Sequence, residues 1–170
     1  MRDRILEIEQ LRKDCDLLTI SKDINENIIL QGRPAYPSFG LYWIYTSYSL
    51  DQLCNARKSD KEKAVDIPGL SNSRKDLKNI LRPNNDDYWV VYNGIGGGHN
   101  SKYNLGSRIA AEFKGGKNTG SLQITDTNLN DLSEWRYSYV LLDPIEYKQI
   151  ANELEVGWRL EFDWPILSKR

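Results

Sequence analysis

The chain has 170 residues, enough for one domain with a buried core, and its hydrophobic (39%) and charged (28%) fractions are ordinary for a globular protein. The formal net charge of −1 excludes a generally polycationic nucleic-acid binder, so any contact with nucleic acid has to come from a local cationic patch. One histidine and two cysteines without ligand spacing argue against a structural zinc site or a disulfide framework. The sequence contains no signal-peptide pattern and no membrane-spanning apolar run, so we expect a cytoplasmic protein without membrane contact.

Residues 1–37 are predicted to form an N-terminal extension of one helix and a hairpin. Within residues 2–18 the apolar side chains recur at helical spacing, at Ile8, Leu11, Cys15 and Leu18. This helix either packs on its own domain or forms a short contact between two subunits. Residues 18–20 and 28–30 are predicted strands around a polar turn, and residues 32–37 are predicted to be a loop because of their glycine and prolines.

Residues 49–87 are predicted to be a helical insertion after a buried strand at residues 40–45. Ser49 and Gln52 form a capping-box pattern, and a second helix is predicted to begin at Ser73 and end before Pro83. Residues 57–82 contain eight cations against four acidic residues, a local net charge of +4. Such a charge run is either a solvated surface or a contact for a phosphate backbone. The candidate DNA contacts are Arg57, Lys58, Arg74, Lys75 and Lys78.

The centre of the chain combines a strand, a glycine-rich segment and a helix. Residues 88–93 are β-branched and aromatic, as in a buried strand. Four glycines between positions 94 and 98 predict a loop that carries His99 and leads to Lys102. A nucleotide phosphate loop is an alternative for this segment, although it lacks the usual glycine spacings of such loops.

The remaining chain is predicted to contain two helices, one short strand and one core strand. An apolar residue at every fourth position from Leu105 to Phe113 predicts a helix, with Arg108 beside the apolar stripe. Residues 114–130 are predicted to be a loop with a short strand at 122–124, followed by a core strand at 135–142. Asp143 and Pro144 begin a helix that we expect to end near Gly157. The apolar face of this last helix contains Tyr147, Ile150, Ala151, Leu154 and Trp158.

Two tripeptides, Gly40-Leu41-Tyr42 and Tyr92-Asn93-Gly94, resemble the paired motifs of the GIY-YIG nuclease family. Arg108 corresponds to the arginine that the family carries on the following helix. Glu155 corresponds to the family's metal-binding glutamate on a late helix. The predicted order of hairpin, helix, strand and glutamate helix also agrees, and the resemblance covers about residues 38–47 and 88–167.

The chain departs from the family pattern at four places. Forty-nine residues separate Tyr42 from Tyr92, where most family members have a short connection, although some restriction endonucleases of the family carry insertions there. Asn93 replaces an aliphatic residue, and the family's late asparagine is absent after Pro165. The glycine-rich segment also lengthens the path from Tyr92 to Arg108.

The resemblance implies an α/β (α+β) fold in a single domain, with a small central mixed β-sheet flanked by helices and a helical insertion between the two motif strands. It also implies a metal-dependent endonuclease for double-stranded DNA, and the insertion favours a type II restriction endonuclease. Because each chain has one site, cleavage of both strands favours a homodimer. The alternative is a DNA-binding module of the same fold without catalytic activity.

The implied catalytic residues each have a distinct task. Tyr42 and Tyr92 orient the attacking water, Arg108 clamps the phosphate, and Glu155 holds Mg²⁺ or Mn²⁺. The general base stays open between a tyrosine, His99 and Lys102. On the last helix Glu155 lies about 80° from the centre of the apolar face and Glu153 about 120°, so Glu155 is favoured and Glu153 is the alternative.

Overall fold

The structure, a computed structural model, describes residues 1–99 and 104–169. This part of the chain forms a five-stranded sheet and five α-helices, so the predicted α+β class is confirmed. The strands are β1 (Leu18–Lys22), β2 (Ile28–Leu30), β3 (Ser38–Thr46), β4 (Trp89–Gly98) and β5 (Trp135–Leu141). The helices are α1 (Arg2–Asp14), α2 (Leu50–Cys54), α3 (Ile67–Arg74), α4 (Leu105–Phe113) and α5 (Pro144–Phe162).

The sheet has the strand order β2-β1-β5-β3-β4, and each neighbouring pair is antiparallel. The prediction of a mixed sheet is therefore wrong. The insertion returns the chain to the end of β3 that it left, so β4 runs back along β3. α4 and the following loop then carry the chain back across the sheet, and β5 pairs with β3 from Thr46 towards Gly40.

The two faces of β3 contact different helices. Tyr42 and Ile44 belong to the core that includes the apolar side of α4. Leu41, Trp43 and Tyr45 belong to a second core that α1 and α5 cover. This alternation along one fully buried strand places α4 on one face of the sheet and α5 on the other.

The N-terminal helix is confirmed and Ile8 of its predicted apolar stripe is buried, but the rest of that stripe is wrong. Leu11 is 41% exposed and Cys15 is exposed, whereas Ile5, Ile8 and Glu9 are buried. The Glu9 carboxylate accepts a hydrogen bond from Trp158 Nε1 at 2.7 Å and pairs with a neighbouring arginine. The Glu9 carboxylate can be buried because Arg12 of α1 balances its charge and Trp158 of α5 donates a hydrogen bond to it.

The glycine-rich segment is a strand, so the predicted loop at residues 94–98 is wrong. These residues extend β4 and pair with Ser38–Tyr42 of β3. A side chain at Gly94 would lie 2.5 Å from the Tyr42 hydroxyl oxygen, and one at Gly97 would lie 2.6 Å from the Tyr147 ring. Glycine is needed at these positions because neighbouring side chains fill the space that a Cβ would occupy. Because residues 94–98 form a strand, they do not form the phosphate loop that the nucleotide-binding alternative requires.

The insertion begins as predicted, but its second helix does not. Ser49 and Gln52 form the capping box at α2. α3 starts at Ile67, because the Asp66 side chain accepts a hydrogen bond from Gly69 N, whereas Ser73 lies within α3 and donates to Leu70 O. The side chains that join the insertion to the α4-side core are Leu53, Val65, Ile67 and Ile80.

Two further boundaries differ from the sequence predictions. Residues 122–124 do not form a strand, because Gln123 has a left-handed φ of 52° and starts a short 3₁₀ turn. α5 continues past Gly157, because that glycine allows Ile5 of α1 to approach to 2.5 Å from the position of a Cβ. Within the described residues, no helix has both the length and the apolar character needed to cross a bilayer.

Residues 164–168, here called the C-terminal strap, lie along the outer edge of β4. Leu167 N donates to Val91 O at 2.9 Å, and Asn93 N donates to Ser168 Oγ at 3.1 Å. Arg74 Nη1 donates to the carbonyl oxygens of Ile166 at 3.1 Å and Ser168 at 2.5 Å. Arg74 therefore joins the insertion to the strap.

Replacing Arg74 by alanine is expected to lower the free energy of unfolding by about 2 kcal/mol, because two charge-assisted hydrogen bonds to the strap are lost. Urea denaturation of the variant measures this loss. Lys75→Ala is the matched control, because Lys75 is an exposed neighbour on the same segment. Equal stability of the two variants would contradict the role of Arg74 in holding the strap.

Candidate active site

A buried hydrogen bond between Tyr42 of β3 and Glu112 of α4 lies at the centre of the site. The Tyr42 hydroxyl donates to Glu112 Oε1 at 2.6 Å, and Glu112 Oε2 accepts from Leu122 N at 2.9 Å. Both side chains are fully buried. Burial raises the pKa of Glu112, and burial together with the nearby Glu112 charge raises the pKa of Tyr42 well above its ordinary value. The site therefore disfavours ionisation of both groups.

Arg108 lies one helical turn before Glu112 and stays partly accessible. Its Nη2 lies 4.0 Å from Glu112 Oε1, and 29% of its side chain is exposed. Gly96 of β4 makes room for it, because a Cβ there would lie 3.0 Å from Arg108 Cβ. The electrostatic influence of Tyr42, followed by that of Glu112, raises the pKa of Arg108, so this guanidinium is a permanent cation at the edge of the buried pair.

Tyr92 of β4 lies beside Tyr42, with the two ring centroids 6.2 Å apart. Burial raises the pKa of Tyr92, and the charges of Glu112 and Glu155 raise it further, whereas Arg108 lowers it. The tyrosine that the second motif predicts is therefore within electrostatic reach of both carboxylates. Neither phenol is ionised near neutral pH.

Glu155 reaches the same site from α5. Its Oε1 accepts a hydrogen bond from Arg159 Nη2 at 2.5 Å, and 17% of its side chain is exposed. Burial raises the pKa of Glu155, while the charges of Arg159 and Arg108 lower it. Glu153 is exposed on another side of α5, so Glu155 is the one of the two candidates that joins the cluster.

The polar residue in the second motif, Asn93, has its own partners in this fold. Asn93 Oδ1 accepts from Arg159 Nε at 2.7 Å and from Ser168 Oγ at 3.0 Å. Arg159 also donates to the Asn93 carbonyl oxygen at 3.1 Å, and its guanidinium lies over the Trp164 ring. α5 and the C-terminal strap therefore supply donors for the Asn93 side-chain oxygen, whereas its Nδ2 has no hydrogen-bond partner among the described residues.

His99, another predicted catalytic residue, is not part of this cluster. His99 is exposed, its ring packs edge-on against Phe39 at 5.2 Å, and its carbonyl oxygen accepts from the Tyr36 hydroxyl. Lys102 lies outside the described residues, so its predicted role remains a prediction.

The five predicted DNA contacts have unequal environments. Arg74 binds the C-terminal strap, Arg57 Nη2 donates to Asp126 O at 3.1 Å, and Lys58 Nζ lies 3.6 Å from Asp66 Oδ2. Lys75 and Lys78 are exposed. Three of the five cations therefore have partners within the protein.

Glu112 is the member of the site that the sequence analysis missed. It lies between Leu105, Ile109 and Phe113 on the buried side of α4, four residues after Arg108. A carboxylate within an apolar stripe, one turn from an arginine, is a signal of a buried partner. Its partner Tyr42 is 70 residues away, so the sequence could not predict this hydrogen bond.

The carboxylates limit the kind of metal site that can form. Among residues 1–99 and 104–169, no group of three or more histidine, cysteine, aspartate or glutamate side chains could hold a metal. Both Glu112 oxygens already accept hydrogen bonds, whereas one Glu155 oxygen lies outside its pair with Arg159. Glu155 therefore fits a Mg²⁺ or Mn²⁺ that takes its other ligands from water and a substrate phosphate.

Comparison of this chain with protein-family models, with curated proteins and with solved structures gave no match.

Proposed function

We propose that this protein is a metal-dependent endonuclease of the GIY-YIG type that hydrolyses phosphodiester bonds in double-stranded DNA, and that it acts as a type II restriction endonuclease. The observation that carries the proposal is a connected set of contacts: Tyr92, Tyr42 and Arg108 lie around Glu112, and Arg159 joins Glu155 to Asn93, the neighbour of Tyr92. The four predicted catalytic residues among them come from two strands and two helices, in the chain order that the resemblance implies. A homodimer in the cytoplasm, with one site for each DNA strand, completes the proposal.

Arg108 is the residue best placed to act on a phosphate. It is partly exposed, it is permanently charged, and its planar fork can donate two parallel hydrogen bonds to phosphate oxygens. The charge that develops on the phosphoryl oxygens during hydrolysis would be stabilised by this cation. Glu112, fully buried behind it, acts as a positioning residue for Tyr42 and Arg108.

The tyrosines and Glu155 have separate tasks in this proposal. Tyr92 is the more accessible phenol and would orient the attacking water, while Tyr42 supports it through the hydrogen bond to Glu112. Because both phenols have raised pKa values, His99 and Lys102 remain the candidates for the general base. A divalent ion held by Glu155 would supply a Lewis acid for the phosphate oxygens.

A DNA-binding module without catalytic activity is the second candidate function. The pairing of Glu155 with Arg159 at 2.5 Å favours it, because a guanidinium competes with a metal ion for the same carboxylate. The full burial of Tyr42 favours it as well, because that phenol has no direct access to a substrate. Such a module would bind DNA with a strong salt dependence and would leave it intact.

The deciding experiment incubates the purified protein with mixed-sequence plasmid and phage DNA, in Mg²⁺, in Mn²⁺ or in a chelator. We expect discrete DNA fragments with metal and intact DNA with chelator. A mock preparation from cells without the expressed protein controls for contaminating nucleases. Intact DNA under every metal condition, together with a gel shift, would reject the nuclease and support the binding module.

A further inference from the structure

An open groove with a cationic lining lies along the outer face of α4. Its volume is about 650 Å³, and it is bounded by that face of the helix, by residues 114–120 and by Arg33 from the segment before β3. Three cations line it, Arg33, Arg108 and Lys114, and none of the described residues in its lining is acidic. We call this feature the α4 groove.

Among the described residues, no carboxylate lies within ion-pair distance of Arg33 or Lys114, whereas Arg108 lies 4.0 Å from Glu112. Arg33 Nη2 donates to Ser107 Oγ at 3.3 Å, and Lys114 Nζ donates to the Glu26 carbonyl oxygen at 2.7 Å. The Glu26 carboxylate itself pairs with Lys22 at 2.5 Å. Neutral oxygens thus fix the positions of Arg33 and Lys114, and the charges of Asp23 and Glu26 act on Lys114 only from beyond ion-pair distance.

Gly106 positions Arg33 on the helix. A Cβ at Gly106 would lie 2.9 Å from Arg33 Nε and 3.1 Å from Arg33 Cγ. The arginine side chain therefore crosses the first turn of α4 through the space that a larger residue would occupy. This close packing gives the groove a defined wall.

Arg108 connects the α4 groove to the candidate active site. It lines the groove, and it also lies 4.0 Å from the buried Glu112. Arg108 and Lys114 are separated by about 9 Å along the helix axis, on the order of two to three nucleotide steps of one DNA strand. A strand whose reacting phosphate lies at Arg108 would place its neighbouring phosphates along this row of cations.

We propose that the α4 groove binds the phosphate backbone of the cleaved DNA strand, through Arg33 and Lys114, and leads it to Arg108. This inference rests on the proposed function. It also moves the main DNA contact away from the insertion, where Arg57, Lys58 and Arg74 have partners within the protein. The ligand class is a polyanionic phosphodiester chain, and the groove reads no base sequence.

The test measures binding of a fluorescein-labelled, mixed-sequence DNA duplex by anisotropy in chelator, over a range of salt concentrations. The double variant Arg33→Gln/Lys114→Gln is compared with Lys75→Gln/Lys78→Gln, which removes the same charge from the insertion. Each lost phosphate contact should weaken binding about eightfold in about 0.1 M salt and lower the salt slope by about one. We expect about a sixtyfold loss for the groove variant and less than about a twofold change for the control.

A third variant, Gly106→Ala, tests the groove without removing a charge. The added methyl group displaces the Arg33 side chain, while alanine is a better helix former than glycine, so the variant should fold. We expect weaker DNA binding by Gly106→Ala at an unchanged thermal unfolding midpoint. This variant keeps the proposal testable if the double variant is unstable.

Three results would contradict the proposal that the α4 groove binds DNA. They are an equal or larger loss of affinity in Lys75→Gln/Lys78→Gln, unchanged binding by both groove variants, and no binding of DNA by the wild-type protein. The proposal that the groove binds DNA and the proposal of nuclease activity are tested separately, because binding is measured without metal. DNA binding that depends on the groove but is never followed by cleavage would support the groove and reject the nuclease.

Discussion

Replacing Arg108 by alanine is expected to slow DNA cleavage by about a hundredfold or more while the protein stays folded. The guanidinium is the exposed cation of the candidate active site, so its removal takes away the group that would stabilise charge on the phosphate. Its ion pair with Glu112 is long, at 4.0 Å from Arg108 Nη2 to Glu112 Oε1, and 29% of the side chain is exposed, so we expect the fold to tolerate its removal. Single-turnover cleavage of plasmid DNA measures the rate.

Arg108→Lys is the matched control for this prediction. Lysine keeps the positive charge but lacks the planar fork, so we expect near wild-type DNA binding with cleavage that stays well below the wild-type rate. Binding in chelator and thermal unfolding are measured for both variants. Wild-type cleavage by Arg108→Ala would remove Arg108 from the mechanism, whereas a large fall in its unfolding temperature would indicate a structural role.

Replacing Glu112 by leucine is expected to destabilise the protein by about 3 kcal/mol. The change leaves two buried donors, the Tyr42 hydroxyl and Leu122 N, without their acceptor. Urea denaturation at neutral pH measures the effect. Glu112→Gln is the control of similar shape, because its amide oxygen can accept from Leu122 N while its NH₂ group donates to the Tyr42 oxygen. A leucine variant as stable as the glutamine variant would contradict the importance of these hydrogen bonds.

The raised pKa of Glu112 predicts that the stability difference between the wild type and Glu112→Gln depends on pH. Burial raises the pKa of Glu112 above its ordinary value of about 4.5, so the folded protein binds this proton more tightly than the unfolded chain. The stabilisation from this group is fully present below about pH 4.5 and is lost as the pH rises through the folded-state pKa. Glu112→Gln cannot titrate, so wild-type stability should fall relative to this variant as the pH rises.

Glu155 has a raised pKa for the same reason and adds a pH dependence of the same sign. Because Glu155 is present in both proteins, the part of its shift that comes from burial cancels in the comparison of wild type with Glu112→Gln, whereas the part that comes from the Glu112 charge is lost in the variant. The measurement is a series of urea denaturation curves from acid to neutral pH. A stability difference that does not change with pH would show that Glu112 titrates normally.

Features that depend on a few neighbouring residues could be predicted from the sequence. The capping box at Ser49 and the N-cap at Asp143 are formed by hydrogen bonds within three residues. The apolar face of α5 follows from helical periodicity, and the residues that it predicted all lie in the α5-side core. These patterns depend on neighbouring residues in the chain, and tertiary packing does not change them.

Features that depend on distant residues were decided by tertiary packing. Glycines usually end a strand, but residues 94–98 continue β4 because Tyr42, Arg108 and Tyr147 fill the space beside them. Gly157 does not end α5, because Ile5 of α1 packs against it.

The candidate site divides in the same way. The sequence by itself determined which residue types were available, and it singled out Tyr42, Tyr92, Arg108 and Glu155 through the family resemblance. The tertiary structure added Glu112, which accepts a hydrogen bond from Tyr42 across 70 residues, and assigned Arg74 to the C-terminal strap. It also brought Arg33 to the groove of Arg108. Hydrogen bonds and ion pairs form between residues that the fold brings close, so a charge pattern along the chain cannot tell a paired cation from an available one.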